Sequence, residues 1–205
     1  MIRPTLTRER ALWAEGRQVV AGLDEVGRGP IAGPVVAAAV VFSPDYKPIR
    51  GMRDSKTLTA LQRGRLAGLI CQRAIAWAVG AASVREIERI NIRCASALAM
   101  RRALARLSLR PDHLLVDGQA LPELGAQHEP IIDGDAHCHS IAAASVLAKE
   151  TRDRLMRMLA TRYPSFGWED NKGYATADHL AALDRLGPTR HHRYGFIPVA
   201  QLRLF

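Results

Sequence analysis

No run in this chain approaches the roughly 18 consecutive apolar residues that a membrane-spanning helix needs. The N-terminal MIRPTLTRERALW has no apolar core behind its charges, so a secretory signal is not expected there. Cysteine is scarce: Cys71, Cys94 and Cys138 are odd in number and far apart. That argues against a disulfide framework and suits reduced thiols in a cytosolic protein. No Gly-x-Ser-x-Gly elbow occurs, and no cysteine has a persuasive histidine partner, so a side-chain nucleophile has little support. Internal repeats, low-complexity segments and clear linkers are lacking as well. Acidic residues are outnumbered, 20 Asp+Glu against 29 Lys+Arg, leaving a formal charge of +9 on 205 residues. Such a basic balance favours an anionic partner, nucleic acid first, because phosphate contacts dominate that kind of binding.

What the chain does have is a set of acids in unusual company. In AGLDEVGRGPIAGPVVAAAVVF, Asp24 and Glu25 interrupt an apolar, glycine-punctuated segment. Residues 18–23 and 35–42 read as valine-rich strands joined by a tight connection. Thr59 is placed to cap a helix through about residue 71, and residues 74–82 read as a third strand. Residues 91–107 have the helical period. HLLVDG is a short strand ending in Asp117, and EPIIDGD another ending in Asp135. A long helix follows over about residues 140–162, and a last one runs from Thr176 to near Gly187. A hairpin followed by alternating strands and helices predicts an α/β protein, a mixed sheet flanked by helices. Residues 1–160 would form its main body and 161–205 a helical appendage, or the two one continuous domain.

Asp24, Asp117 and Asp135 each come after an apolar run with a glycine nearby, Gly27, Gly118 and Gly134. Strand ends from separate parts of a sheet converge at one edge, where sites form in such folds. Carboxylates gathered there stay ionised together only around a cation, and all-oxygen donors suit Mg²⁺ or Mn²⁺ and disfavour zinc. Neighbours in a strand point to opposite faces, so Asp24 and Glu25 would share one site only where the strand breaks. The competing reading of each Asp-Gly pair is an ordinary turn. GRGPIAG loosely resembles a dinucleotide loop, but VVAAAVVF after it reads as a strand where that loop opens a helix. His137, Cys138 and His139 are consecutive, without a second ligand pair at zinc spacing. His191 and His192 sit in a basic tail and read as a solvated or phosphate-facing surface.

Several motifs together resemble type 2 ribonuclease H (ribonuclease HII) over about residues 19–198. They are LDEVGRGPIAGPVVAAAV, DSK at 54–56, INI at 90–92, LVDG at 115–118, GD at 134–135, SIAAASVLAKETRD at 140–153, NKGYAT at 171–176 and RHHRYGFIPV near the end. The resemblance implies a ribonuclease H-like mixed sheet with a C-terminal helical part. It implies an enzyme, a monomer, that hydrolyses the RNA strand of RNA–DNA hybrids and nicks duplex DNA 5′ of an embedded ribonucleotide. By it the catalytic, metal-holding acids are Asp24, Glu25, Asp117 and Asp135, with Mn²⁺ or Mg²⁺ as cofactor. Two ions about 3.5–4 Å apart would then drive an in-line displacement, leaving 3′-hydroxyl and 5′-phosphate ends. The backbone of Gly27, Arg28 and Gly29 and the ring of Tyr174 would recognise the ribose 2′-hydroxyl, which is what distinguishes RNA from DNA. Lys56, Ser140 and Lys149 are expected phosphate contacts, and residue 133 is Asp133 where the family commonly has lysine. The rival expectations are a catalytically silent nucleic-acid binder and another metal-dependent phosphohydrolase acting on small nucleotides.

Overall fold

The computed structural model describes residues 3–53 and 55–204, with side chains as far as residue 201. Asp54, first residue of the DSK motif, lies outside the described residues. In chain order the elements are α1 (Thr7–Ala14), β1 (Val20–Val26), β2 (Val35–Val41), α2 (Ala60–Arg73), β3 (Ala76–Ala82), α3 (Val84–Ala105), β4 (His113–Asp117), β5 (Glu129–Ile131), α4 (Gly134–His137), α5 (His139–Arg162), α6 (Trp168–Asn171) and α7 (Ala177–Leu186). The strands form one mixed sheet in the order β3-β2-β1-β4-β5. It is antiparallel across β3, β2 and β1 and parallel across β1, β4 and β5.

Every residue of β2 is buried, which is why VVAAAVV shows no polar alternation. Ala37, Ala39 and Val41 pack with Ala95, Ala99, Met100 and Ala103 of α3 on one face. Val36, Ala38 and Val40 pack with Ala142, Ala143, Val146 and Leu147 of α5 on the other. Small residues let both helix backbones come close. A Cβ on Gly22 of β1 would stand 2.3 Å from the Ser140 carbonyl carbon, and one on Gly80 of β3 would stand 2.1 Å from Ala99 O.

Local signals account for most boundaries. Thr59 and Gln62 close a capping box on α2, and Ser83 and Glu86 close one on α3. The helix expected from residue 91 in fact starts at Val84, with Asn91 standing out of helical geometry at φ 64°. Asn91 Oδ1 accepts the Cys94 amide at 3.0 Å, so the residue caps the second stretch as an N-cap would, and that capping signal hid the first stretch from a periodicity reading. Two further expectations need correction. The sheet ladder does not break at Asp24 but runs on through Val26, with Asp24 opposite Ala38 and Glu25 opposite Ala37. The strand expected to end in Asp135 stops at Ile131; Asp133 then turns the chain at φ 51°, and Asp135 lies in the first turn of α4.

Helix α5 runs unbroken past residue 160. Beyond it Phe166, Trp168, Ala182, Leu183 and Val199 join Ile31, Ala32, Met156 and Ala160 in one apolar cluster. His192 is not on a solvated face, contrary to expectation, but fully buried beside Trp168 and His179. Thr189 N donates to its Nδ1 at 2.9 Å, its Nε2 lies 3.1 Å from His179 Nε2, and His179 Nδ1 lies 2.7 Å from the Tyr174 carbonyl oxygen. This chain of contacts fits two neutral imidazoles, the second fixing the backbone at Tyr174.

Two expectations follow. Gly80→Ala forces a methyl group into the α3 backbone and should cost about 1–3 kcal/mol, read by urea unfolding. Burial pushes His139 and His192 down to about 4 from an ordinary 6.5. Such groups take up protons more readily when unfolded, so their contribution is whole above 6.5 and lost as pH falls toward 4. Thermal melting should therefore show Tm falling through that window, and His192→Gln should flatten the fall.

Candidate active site

The parallel register of β1 and β4 sets Leu23 beside Val116, so the next residues, Asp24 and Asp117, end up as neighbours at the same end of the sheet. β5 runs parallel to β4, and the turn after it folds Gly134 back so that its amide donates to Asp117 Oδ1 at 2.7 Å. That turn delivers Asp135. Four carboxyl groups from three separate segments thus come within electrostatic reach of one another.

Asp24 is 6% exposed and Asp135 9%. Burial raises the Asp24 pKa well above the usual carboxylate range, the charges of Glu25, Asp117 and Asp135 raise it further, and a hydrogen bond from Ser145 opposes them. Glu25 is raised by burial against the pull of Arg28, its salt-bridge partner at 3.2 Å. Asp117 is raised by burial, while the Gly134 and Asp135 amides and the charge of Lys56 hold it down. Exposed Asp133 pushes it up.

As placed, no three acidic, histidine or cysteine side chains among the described residues are arranged to hold one metal ion. Glu25 is turned to Arg28, and Asp24 Oδ1 accepts the Glu25 amide at 2.6 Å. The donor chemistry nevertheless fits a hard divalent cation: four carboxyl groups, partly desolvated, with Asp24 raised by the charges of the other three. The consecutive His137, Cys138 and His139 form no metal site. His139 Nε2 accepts the Ile49 amide at 3.3 Å in the interior, and burial holds the Cys138 thiol protonated with a pKa of about 12.

Beside the acids lies the turn 27–29. Gly27 has φ +94°, and a Cβ there would collide with the Arg152 side chain at 2.1 Å, so only glycine fits. A Cβ on Gly29 would meet Tyr174 Cε1 at 3.7 Å, which places the half-exposed ring of Tyr174 against the turn. Lys56 is exposed on a short 3₁₀ turn near Asp117.

Of the expected phosphate contacts, Ser140 is not available, and Lys149 is engaged in an ion pair. Ser140 is 1% exposed, and both its amide and its hydroxyl donate to buried Glu9, at 2.8 and 2.7 Å. Lys149 Nζ is tied to Asp153 at 2.8 Å, and Arg63 holds the other oxygen of that carboxylate at 2.9 Å. Sequence reasoning missed Ser145, which bonds Asp24 and lies 2.9 Å from Ser55 Oγ. Its only signal was a hydroxyl in an alanine run. It also missed Arg152 and Arg193, fully buried beneath the turn.

A family profile described as Ribonuclease HII matches residues 21–199. The chain is 54% identical over 186 residues to Ribonuclease HII of Sphingopyxis alaskensis, spanning 91% of this chain and 92% of that protein. Against Ribonuclease HII of Cereibacter sphaeroides it is 54% identical over 197 residues, 96% of this chain and 92% of the other. Among solved structures, ribonuclease H2 from Pyrococcus horikoshii OT3 matches with TM-score 0.77 at 25% identity, over 91% of this chain and 97% of that one. Bst-RNase HIII in complex with Mn²⁺ shares the fold, with TM-score 0.73 at 21% identity over 92% of this chain and 70% of that one. The mixed sheet expected from the sequence is therefore that of the ribonucleases H2 and H3, and the chain itself belongs to the ribonuclease HII family of nucleases.

Proposed function

We propose that this chain cleaves the RNA strand of RNA–DNA hybrids and nicks duplex DNA on the 5′ side of an embedded ribonucleotide, leaving 3′-hydroxyl and 5′-phosphate ends. The observation that carries the reading is the meeting of four acids from β1, β4 and α4 beside the glycine turn and the ring of Tyr174. A silent binder gains nothing from this arrangement, because clustered carboxylates repel phosphate. A small-nucleotide phosphohydrolase gives no reason for the formal charge of +9 that the chain carries. In this reading Asp24, Glu25, Asp117 and Asp135 hold Mn²⁺ or Mg²⁺. When bound there, a pair of such ions supplies Lewis-acid stabilisation to the attacking and leaving oxygens of an in-line displacement.

The rest falls to the chain's own groups. The Gly134 and Asp135 amides hold Asp117 in place. Ser145 holds Asp24, and Arg28 bonds Glu25 and opposes the rise that burial gives its pKa. Gly27 and Gly29 let a ribose approach the backbone closely, while Tyr174 offers a ring to the next sugar and a hydroxyl for a hydrogen bond. Lys56, whose charge reaches Asp117, would meet a phosphate held beside the acids.

End-labelled duplex DNA carrying one ribonucleotide should be nicked 5′ of that residue with Mg²⁺ or Mn²⁺ present. An all-DNA duplex should stay intact, and excess EDTA should abolish the reaction; cutting of the DNA control or full activity in EDTA would refute the reading. Asp117→Asn should lose more than about 100-fold in rate, since even outer partners of metal ligands cost 10–100-fold. Because the amide keeps the acceptor for Gly134 and removes a repelled charge, its Tm should equal or exceed that of the parent.

A further inference from the structure

We infer that Arg193 is a positioning residue that gives the Gly27–Gly29 turn its preference for an oxygen ligand, by holding the carbonyls of that turn inward. The inference rests on the reading above in which this turn recognises the ribose.

Arg193 is 0% exposed, and among the described residues its hydrogen bonds all go to carbonyl oxygens. Its donors all go to one loop: Nη2 to Gly27 O at 2.6 Å, Nη1 to Arg28 O at 2.9 Å, and Nε and Nη2 to Gly33 O at 3.1 and 2.9 Å. Arg152, also fully buried, completes the cradle through Ala32 O, Pro34 O and Lys172 O at 3.0, 2.9 and 2.9 Å. Burying a guanidinium on neutral carbonyls alone is costly. Burial duly pushes Arg193 down to about 9 and Arg152 to about 10, each remaining a full cation at neutral pH.

The consequence follows from peptide geometry. In a trans peptide the N–H points opposite to the C=O. With Gly27 O and Arg28 O drawn in to Arg193, the next amides, those of Arg28 and Gly29, face outward. Neither amide has an acceptor among the described residues, and both residues are exposed. Two successive free amides backed by buried positive charge form a nest for an oxygen atom, and Tyr174 closes one side of it. Without the guanidinium, either peptide is free to flip and present its carbonyl instead. The candidate oxygens are a ribose 2′-hydroxyl and a backbone phosphate; the first is the one inferred here, because the ring of Tyr174 shares the pocket.

The test compares wild type, Arg193→Lys, Phe196→Leu and Gly80→Ala. Phe196 is the ring under the Arg193 guanidinium, 5.1 Å from its centroid, so Phe196→Leu loosens the arginine without removing it. Affinity is measured by fluorescence anisotropy, with Ca²⁺ in place of Mg²⁺, for two duplexes that differ only in one 2′-hydroxyl. Melting is recorded alongside. Arg193→Lys should weaken binding of the ribonucleotide duplex about 10-fold, the worth of one or two hydrogen bonds, and leave the all-DNA duplex unchanged. Phe196→Leu should move the ratio the same way by less, and it decides the question where Arg193→Lys does not fold. Gly80→Ala, destabilised but remote from the turn, should keep the wild-type ratio. An unchanged ratio in both turn variants, or an equal loss on both duplexes, as a phosphate contact would give, overturns the proposal. So does a comparable change in Gly80→Ala. A wild-type protein that binds both duplexes equally would instead refute the ribose-reading role of the turn itself.

Discussion

Two helix backbones lie so close to the sheet that neither Gly22 nor Gly80 has room for a side chain, and the placement of the acids follows from the closeness at Gly22. β1 is the shared strand, antiparallel to β2 and parallel to β4. With α5 resting on Gly22, the hydroxyl of Ser145 reaches Asp24, and the short α4 just before α5 delivers Asp135 to the same end. Alanine on both sides of the contact, Ala38 in β2 and Ala142, Ala143 and Ala148 in α5, extends the close approach. Larger residues would bury more area each but would lift the helix and with it Ser145.

Electrostatics then works against folding at the site. Burial and like charge raise Asp24, Glu25 and Asp117 together, so the acids are held in place by the rest of the fold. Sites of this kind store unfavourable interactions that surrounding packing must offset. Nearby ionic groups are arranged to limit the damage without neutralising it. Glu9 satisfies Ser140 and joins α1 to α5, while Arg63 and Lys149 share Asp153 on the far side of that helix. These pairs anchor α5.

Beneath the turn the arrangement is reversed, with two guanidinium groups on carbonyl dipoles. Positive charge under the backbone and negative charge on the neighbouring strand end give the site two poles. In the proposed function the outward amides would meet an oxygen of the sugar, and the carboxylates a cation lying against the scissile phosphate. The neutral pair His179 and His192 fixes the Tyr174 carbonyl from behind, so the ring and the turn are supported by separate parts of the C-terminal segment.

Much of this was legible along the chain. Capping residues at Thr59 and Ser83, the valine-rich runs and the strand ending in Asp117 are local features, and local features write themselves into residue spacing. The acids could be picked out because aspartate near a glycine after an apolar run is unusual three times over. Other features were beyond reach. Asp24 and Glu25 were expected at a break, yet the ladder runs through them, because pairing is decided by β2 and not by the segment's own composition. Ser140 looked accessible until Glu9, 131 residues away, claimed both of its donors. Arg193 read as one more basic residue of the tail; its partner Gly33 is 160 residues distant. Sequence alone determined most of the helical and extended segments and all of the acids, since those properties depend largely on neighbours within a turn or two. Which polar groups are buried, and what each one bonds, was decided only when distant segments met, because the energy of a buried donor or charge is set by the partner that tertiary packing brings to it.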